Sequence, residues 1–212
     1  MNKTTYLAYT SIVPEIKDNT PITKTVMLLH GYGSNMHDLS SLSIYINEPG
    51  YLYISLNAPI KITEFGTPGF AWFEIGTPNY LNQLESSTQL LANTIDHLID
   101  QFDISSTPII LGGFSQGGMI AMNLALTTNR NLNGIATLSS RLITDISNVT
   151  PKRNFFISHG SKDNIIDVLE GRRSKDLLLK SGHNVTYKEY EMAHEISSDC
   201  ITDFSTWLKS IN

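Results

Sequence analysis

Six short apolar runs, rich in β-branched and aromatic residues and separated by longer stretches of helical periodicity, constrain this chain more than any other feature. They fall at residues 25–29, 51–56, 109–111, 134–138, 154–158 and 185–190. Each is nearly continuous in apolar character, as a strand buried on both faces must be. Between them, Leu84, Leu91, Ile95, Leu98, Ile99 and Phe102 recur at helical spacing, with Glu85, Asp96 and Asp100 on the opposite side. A second stripe, Ile196, Cys200, Phe204, Trp207 and Leu208, closes the chain. Strands alternating with helices predict an α/β fold, with a mostly parallel central sheet and helices on both faces. With 212 residues, 41% of them hydrophobic, the chain can bury about 70% of the surface its unfolded form exposes. No repeat or linker divides it, so one domain over 1–212 is expected, without a large cap domain.

Open α/β sheets carry their chemistry at the carboxyl ends of the strands, and here those ends are polar. The first two informative ones read His30-Gly31-Tyr32-Gly33-Ser34-Asn35 and Gly112-Gly113-Phe114-Ser115-Gln116-Gly117-Gly118. His159-Gly160-Ser161-Lys162-Asp163 and Glu191-Met192-Ala193-His194 follow the later strands. The segment 58–80, with Pro59, Pro68 and Pro78 among Phe65, Phe70, Trp72 and Phe73, has no clear periodicity and reads as a long loop.

Gly113-Phe114-Ser115-Gln116-Gly117 matches the G-x-S-x-G nucleophile elbow, in which a serine occupies a strained turn between a strand and a helix. The strand at 109–111 and the helical run Met119-Ile120-Ala121-Met122 supply that context. Gly117, Ala121 and Ala125 share one helix face, where small side chains allow close approach to the sheet. Serine needs a base, and in this fold the order is serine, acid, histidine. His30, His37 and His97 precede Ser115. His159 ends a strand before a glycine and reads as turn structure, while His183 follows the helix stop Ser181-Gly182 and reads as solvated. His194, between the last strand and the closing helix, is the predicted base. For the acid, Asp163 at a strand's carboxyl end fits best. Asp145 is the alternative, and Asp167 is a distant third within a helix predicted over 165–179.

An acyl-transfer site also needs two backbone N–H donors, one of them from the residue after the nucleophile, Gln116. Tyr32, in the glycine-rich loop after the first strong strand, is the expected second. That loop lacks the lysine and spacing of a phosphate-binding P-loop. No His-x-x-x-His pair or cysteine cluster suggests a metal, and no cofactor is expected.

The formal charge of −5 and the absence of any Lys/Arg block argue against a nucleic-acid partner. No window reaches the length of a membrane span, and the first residues lack a signal-peptide core. A lone cysteine, Cys200, suits a reducing compartment. A cytoplasmic protein is expected, with a homodimer left open.

These motifs resemble the carboxylesterase/acyl-protein thioesterase (phospholipase/carboxylesterase) family of α/β-hydrolases, nearly end to end. The resemblance rests on Leu28-Leu29-His30-Gly31-Tyr32-Gly33-Ser34-Asn35, Ala71-Trp72-Phe73-Glu74-Ile75 and Gly112 to Met119. It continues through Leu138-Ser139-Ser140, His159 to Asp163, and Tyr190-Glu191-Met192-Ala193-His194-Glu195-Ile196. It implies an α/β-hydrolase fold, a triad of Ser115, Asp163 and His194, and oxyanion donors at Tyr32 and Gln116. It also implies an acyl groove lined by Trp72, with Phe73, Leu142 and Ile165 as further candidates for substrate contact. Two departures bear on substrate: Tyr32 stands where many relatives carry leucine, narrowing the acyl entrance, and Arg141 stands where an aromatic is common. The implied activity is hydrolysis of carboxylic esters of short to medium acyl chain through an acyl-enzyme, on a small-molecule or lipid-like substrate. Lysophospholipase and acyl-protein thioesterase are the alternatives, and a catalytically silent hydrolase-fold binding protein is the alternative from another class.

Overall fold

The computed structural model describes residues 6–12, 21–63, 68–146 and 151–211. Strands β1 (Tyr9–Ile12) and β2 (Lys24–Leu29) lead to a 3-10 turn (Leu39–Ser41), the short helix α1 (Leu42–Ile46) and β3 (Tyr51–Leu56). A small hairpin, β4 (Ile60–Ile62) and β5 (Gly69–Ala71), precedes the long helix α2 (Tyr80–Phe102). Then come β6 (Ile109–Phe114), α3 (Gln116–Thr127), β7 (Gly134–Leu138), β8 (Asn154–Gly160), α4 (Val168–Lys180), β9 (Asn184–Tyr190) and α5 (Ser198–Ser210).

The six apolar runs are the six parallel strands of a seven-stranded sheet ordered β1-β3-β2-β6-β7-β8-β9, to which β1 adds an antiparallel edge. Their continuous apolar character has a direct cause: alternate residues feed two separate cores. Met27 and Leu29 of β2 pack with Leu91 and Ile95 of α2 and Ile120 of α3, whereas Val26 and Leu28 pack with Leu42 of α1 and Phe204 of α5. Helices α2, α3 and α4 therefore cover one face of the sheet, and α1 and α5 the other. This is the α/β-hydrolase arrangement, and among the described residues no cap domain sits on it. Strand β9, at the opposite edge from β1, is only half buried, and it carries Lys188 and Glu189 in keeping with that position.

Buried cations fasten the ends of this framework. Lys24, at the start of β2, donates to the carbonyls of Leu208 and Ile211 at the end of α5, and burial lowers its pKa. Arg153, before β8, donates through Nε, Nη1 and Nη2 to the carbonyls of Ala125 in the last turn of α3 and of Leu132 and Thr128 in the chain that follows it.

Four departures from the sequence expectations concern the framework away from the elbow. Segment 58–80 is not a featureless loop, because Ile60 and Ala71 pair across the β4–β5 hairpin. Strand β1 has no apolar signature, being held by its register with β3. The helix expected from 165 begins at Val168, because Asp167 caps it by accepting from the Leu169 amide at 2.9 Å. His183 is 3% exposed rather than solvated, with Nδ1 accepting from the Arg153 amide.

Candidate active site

Ser115 lies between β6 and α3 with φ 52° and ψ −117°, a backbone conformation that L-residues rarely adopt. The turn is possible only because of its glycines. A Cβ on Gly113 would overlap the Gly117 carbonyl, and one on Gly117 would overlap the Leu29 carbonyl at the end of β2. The same crowding seats α3 directly on the sheet, along the small-residue face that includes Ala121. Ser140, after β7, fixes the elbow by donating from Oγ to the Ser115 carbonyl at 2.7 Å.

His194 reaches the elbow from the loop after β9, and its Nε2 lies 3.0 Å from Ser115 Oγ. Its Nδ1 lies 2.7 Å from Asp163 Oδ2. An ionised carboxylate only accepts, so Nδ1 carries the proton and Nε2 is left to take one from the serine. The Asp163 side chain is fully buried, and Oδ1 accepts from the amides of Ile165 and Ile166, each at 2.9 Å. Burial alone would raise this carboxyl. Hydrogen bonds from His194, Ile166 and Ile165 outweigh that and hold it below its ordinary value. Asp145, by contrast, is exposed, and Asp167 is occupied with capping α4.

A second histidine bears on the same carboxylate. His159 is fully buried in β8, and its Nε2 lies 2.8 Å from the Ile166 carbonyl and 3.4 Å from Asp163 Oδ2. A carbonyl can only accept, so Nε2 carries the proton and points between the two oxygens. His159 is thus a strand residue behind the site and not a turn former. Its Nδ1 faces α4, where only a glycine fits: a Cβ on Gly171 would come within 2.6 Å of it. The sequence signal was present, since His159 and Asp163 stand four residues apart across a glycine turn, but periodicity gives such a histidine no direction.

The glycine-rich loop after β2 is held from three sides. A Cβ on Gly31 would meet Ser115 Cβ at 3.4 Å and the Phe114 ring at 3.1 Å, which sets the loop against the elbow. Strand β5 clamps its far side, with Gly33 N donating to the Phe70 carbonyl and Phe70 N to the Ser34 carbonyl. His30 Nε2 accepts from the Ala58 amide at 3.0 Å, leaving Nδ1–H to donate to the Gly31 carbonyl at 2.7 Å. Tyr32 and Gln116, the expected oxyanion donors, stand on these two adjoining segments. The Gln116 side chain joins them to a third: Oε1 accepts from Trp72 N at 2.9 Å and Nε2 donates to the Phe73 carbonyl at 2.6 Å.

The expectation for Trp72 and Phe73 is corrected by this network. Trp72 is 0% and Phe73 1% exposed, so neither ring opens to a groove. Trp72 instead uses its indole N–H to hold the His30 carbonyl at 2.9 Å. Leu142 lines a separate cleft of about 650 Å³ together with Arg141, Glu170 and Arg173, and Ile165 is 68% exposed beside Asp163. Among the described residues, no group of three or more His, Cys, Asp and Glu is placed to hold a metal.

The family model described as Phospholipase/Carboxylesterase matches residues 11–212. Acyl-protein thioesterase 1 of Candida albicans is 31% identical, over 88% of this chain and 91% of that protein. The protein of the same name from Neurospora crassa is also 31% identical, over 92% and 89%. Among solved structures, esterase PE8 superposes with a TM-score of 0.85 at 24% identity, over 98% of this chain and 100% of that one. The Bacillus cereus carboxylesterase superposes at 0.79 and 20% identity, over 96% and 94%. With a matching family model, matching relatives and a matching fold, this chain belongs to the phospholipase/carboxylesterase family of α/β-hydrolases and is a hydrolase acting on ester bonds.

Proposed function

We propose that the protein cleaves carboxylic esters of short to medium acyl chain through an acyl-enzyme, with Ser115 as nucleophile, His194 as general base and Asp163 as the acid that orients it. The observation that carries this reading is the unbroken chain from Ser115 Oγ through His194 to Asp163, with spacings of 3.0 and 2.7 Å. His194 Nε2 takes the serine proton as Oγ attacks the carbonyl carbon, and the backbone amides of Tyr32 and Gln116 receive the oxyanion. His194 then returns the proton to the departing alkoxide, leaving the acyl group on Ser115. Water, deprotonated by the same nitrogen, attacks that ester, and collapse of the second tetrahedral intermediate restores the serine.

A silent binding protein would have no need to hold three titratable or nucleophilic groups in this order at hydrogen-bond distance. Thioester hydrolysis is the second reading, favoured by the thioesterase names of the 31%-identical relatives. The cytoplasm is the compartment we assign, supported by a lone, buried and unpaired Cys200. Among the described residues, no helix is long and apolar enough to cross a membrane.

The test is steady-state hydrolysis of p-nitrophenyl acetate beside an S-acyl peptide, with Ser115→Ala in parallel. Turnover of the ester that disappears in Ser115→Ala is expected, and undiminished turnover in that variant overturns the reading. Thioester turnover with kcat/KM well above the ester's would move the assignment to the second reading.

A further inference from the structure

A cleft of about 600 Å³ opens between α1 and the start of α5, on the face of the sheet away from Trp72. Its floor is Leu39 and Leu42, both buried, and its walls are the half-buried Phe114, Ile196 and Ile201. The polar residues that line it, Asp38, Ser41, Ser198 and Thr202, are exposed or lie at the rim. No buried polar group inside demands a polar ligand. Phe114 connects the cleft to the reaction: it is bonded to Ser115, and its ring centroid lies 4.9 Å from that of His194. The volume falls within the range of about 300–1,000 Å³ typical of small-molecule sites.

We propose that this cleft seats the apolar chain of the ester, an inference that rests on the function proposed above. The competing location is unsuited to hydrocarbon, because the cleft at Leu142 is lined by Arg141, Asp145, Glu170, Arg173 and Lys180. The Asp38 carboxylate at the rim acts in the same direction, since it repels an anionic head group and leaves an uncharged chain as the occupant. The chain belongs either to the acyl group or to the alcohol, and both present the same chemistry to the cleft.

Two substrate series separate these sources: p-nitrophenyl esters from acetate to octanoate, and n-alkyl acetates from methyl to octyl. Each methylene entering the cleft should raise kcat/KM about fourfold, the equivalent of about 0.8 kcal/mol of burial. Thr202→Trp and Ser41→Trp place an indole over the cleft from opposite sides, at exposed positions that the fold tolerates. In either variant the octyl-to-shortest ratio of kcat/KM should fall at least tenfold in one series. A fall in the acyl series assigns the cleft to the acyl chain, and a fall in the alkyl series to the alcohol. Thr206→Trp, one turn further along α5 and outside the cleft, should keep the unmodified ratio. A flat chain-length profile in both series, or ratios unchanged in both rim variants, overturns the proposal. Acetate hydrolysis abolished by Ser115→Ala in the same assay shows that the parent reading still stands when the cleft does not.

Discussion

Gln116 and Trp72 are joined by a hydrogen bond of 2.9 Å from the Trp72 amide to the glutamine's Oε1, so the residue after the serine braces the bend after β5, 44 residues away in sequence. Gln116 also donates to the Phe73 carbonyl, and Trp72 in turn holds the His30 carbonyl. Gln116→Ala leaves the buried Trp72 N–H and Phe73 carbonyl without partners, at a cost of about 1–3 kcal/mol for each. Trp72→Phe leaves the His30 carbonyl without its donor and also opens a cavity where the larger indole stood, so its cost should exceed that of one such group. Urea unfolding measures both. A Gln116→Ala protein as stable as the parent would show that water or relaxation replaces the bridge.

Ser115 sits where its own backbone is unfavourable. Ser115→Ala should lose about 10⁴–10⁶ in rate with the fold intact, and a fluorophosphonate should label the parent at this residue alone. Ser115→Gly should be equally inactive yet more stable than Ser115→Ala, by about 1 kcal/mol, because glycine tolerates a φ of 52°. Equal unfolding midpoints for the two variants would remove strain from the account of the elbow.

Asp163 ties activity to acid stability. Asp163→Asn should lower kcat by roughly 10⁴ through the wrong imidazole tautomer, whereas Asp145→Asn should leave it unchanged. The folded carboxyl titrates below its ordinary value of 3.8, so its ionised form stabilises the fold at every pH above that value. The contribution disappears as pH falls through the lower, folded value. Urea midpoints should therefore drop more steeply below about pH 4 in the parent than in Asp163→Asn. Parallel curves would mean that Asp163 makes no net favourable interaction on folding.

His159 should act through Asp163 and not on substrate. His159→Phe fills similar space but withdraws the N–H shared by Asp163 and Ile166, a loss of about 1.4 kcal/mol or roughly tenfold in kcat, with KM little changed. A rise in KM at constant kcat would contradict a positioning role.

Cys200 should be chemically silent in the native state. It is fully buried and donates to Ser158 Oγ at 3.2 Å. Burial, with a smaller push from Asp203 and against the pull of that hydrogen bond, drives the thiol up to about 11. Iodoacetamide at neutral pH should label it only after unfolding, and rapid labelling of the native protein would show local opening of α5.

What the sequence made legible follows from how local each signal is. The six strands, α2 and α5 announce themselves because burial on one or two faces imposes a period, and that period survives in Leu91, Ile95 and Leu98 or in Val26, Met27 and Leu28. That Ser115, Asp163 and His194 would meet was readable because each follows a strand at the same edge of the sheet. Strand β1 and the β4–β5 hairpin were not legible, since backbone pairing with β3 or with Ser34 leaves no apolar period behind. Trp72 shows the other limit. A tryptophan near a catalytic motif can line a groove or fasten a loop with its N–H, and only the 2.9 Å contact with the His30 carbonyl decides between them.

The ammonium of Lys24 has a consequence for how the molecule comes into being. Its two carbonyl acceptors lie 184 and 187 residues further along the chain. The start of β2 is thus fastened to the end of α5, and the contact forms only when these two distant parts of the chain have come together. Removing these acceptors beneath a docked α5 would leave a buried charge unpaired, which is strongly disfavoured. Docking of α5 is therefore coupled to the ordering of β2 and of the loop that β2 launches towards Ser115.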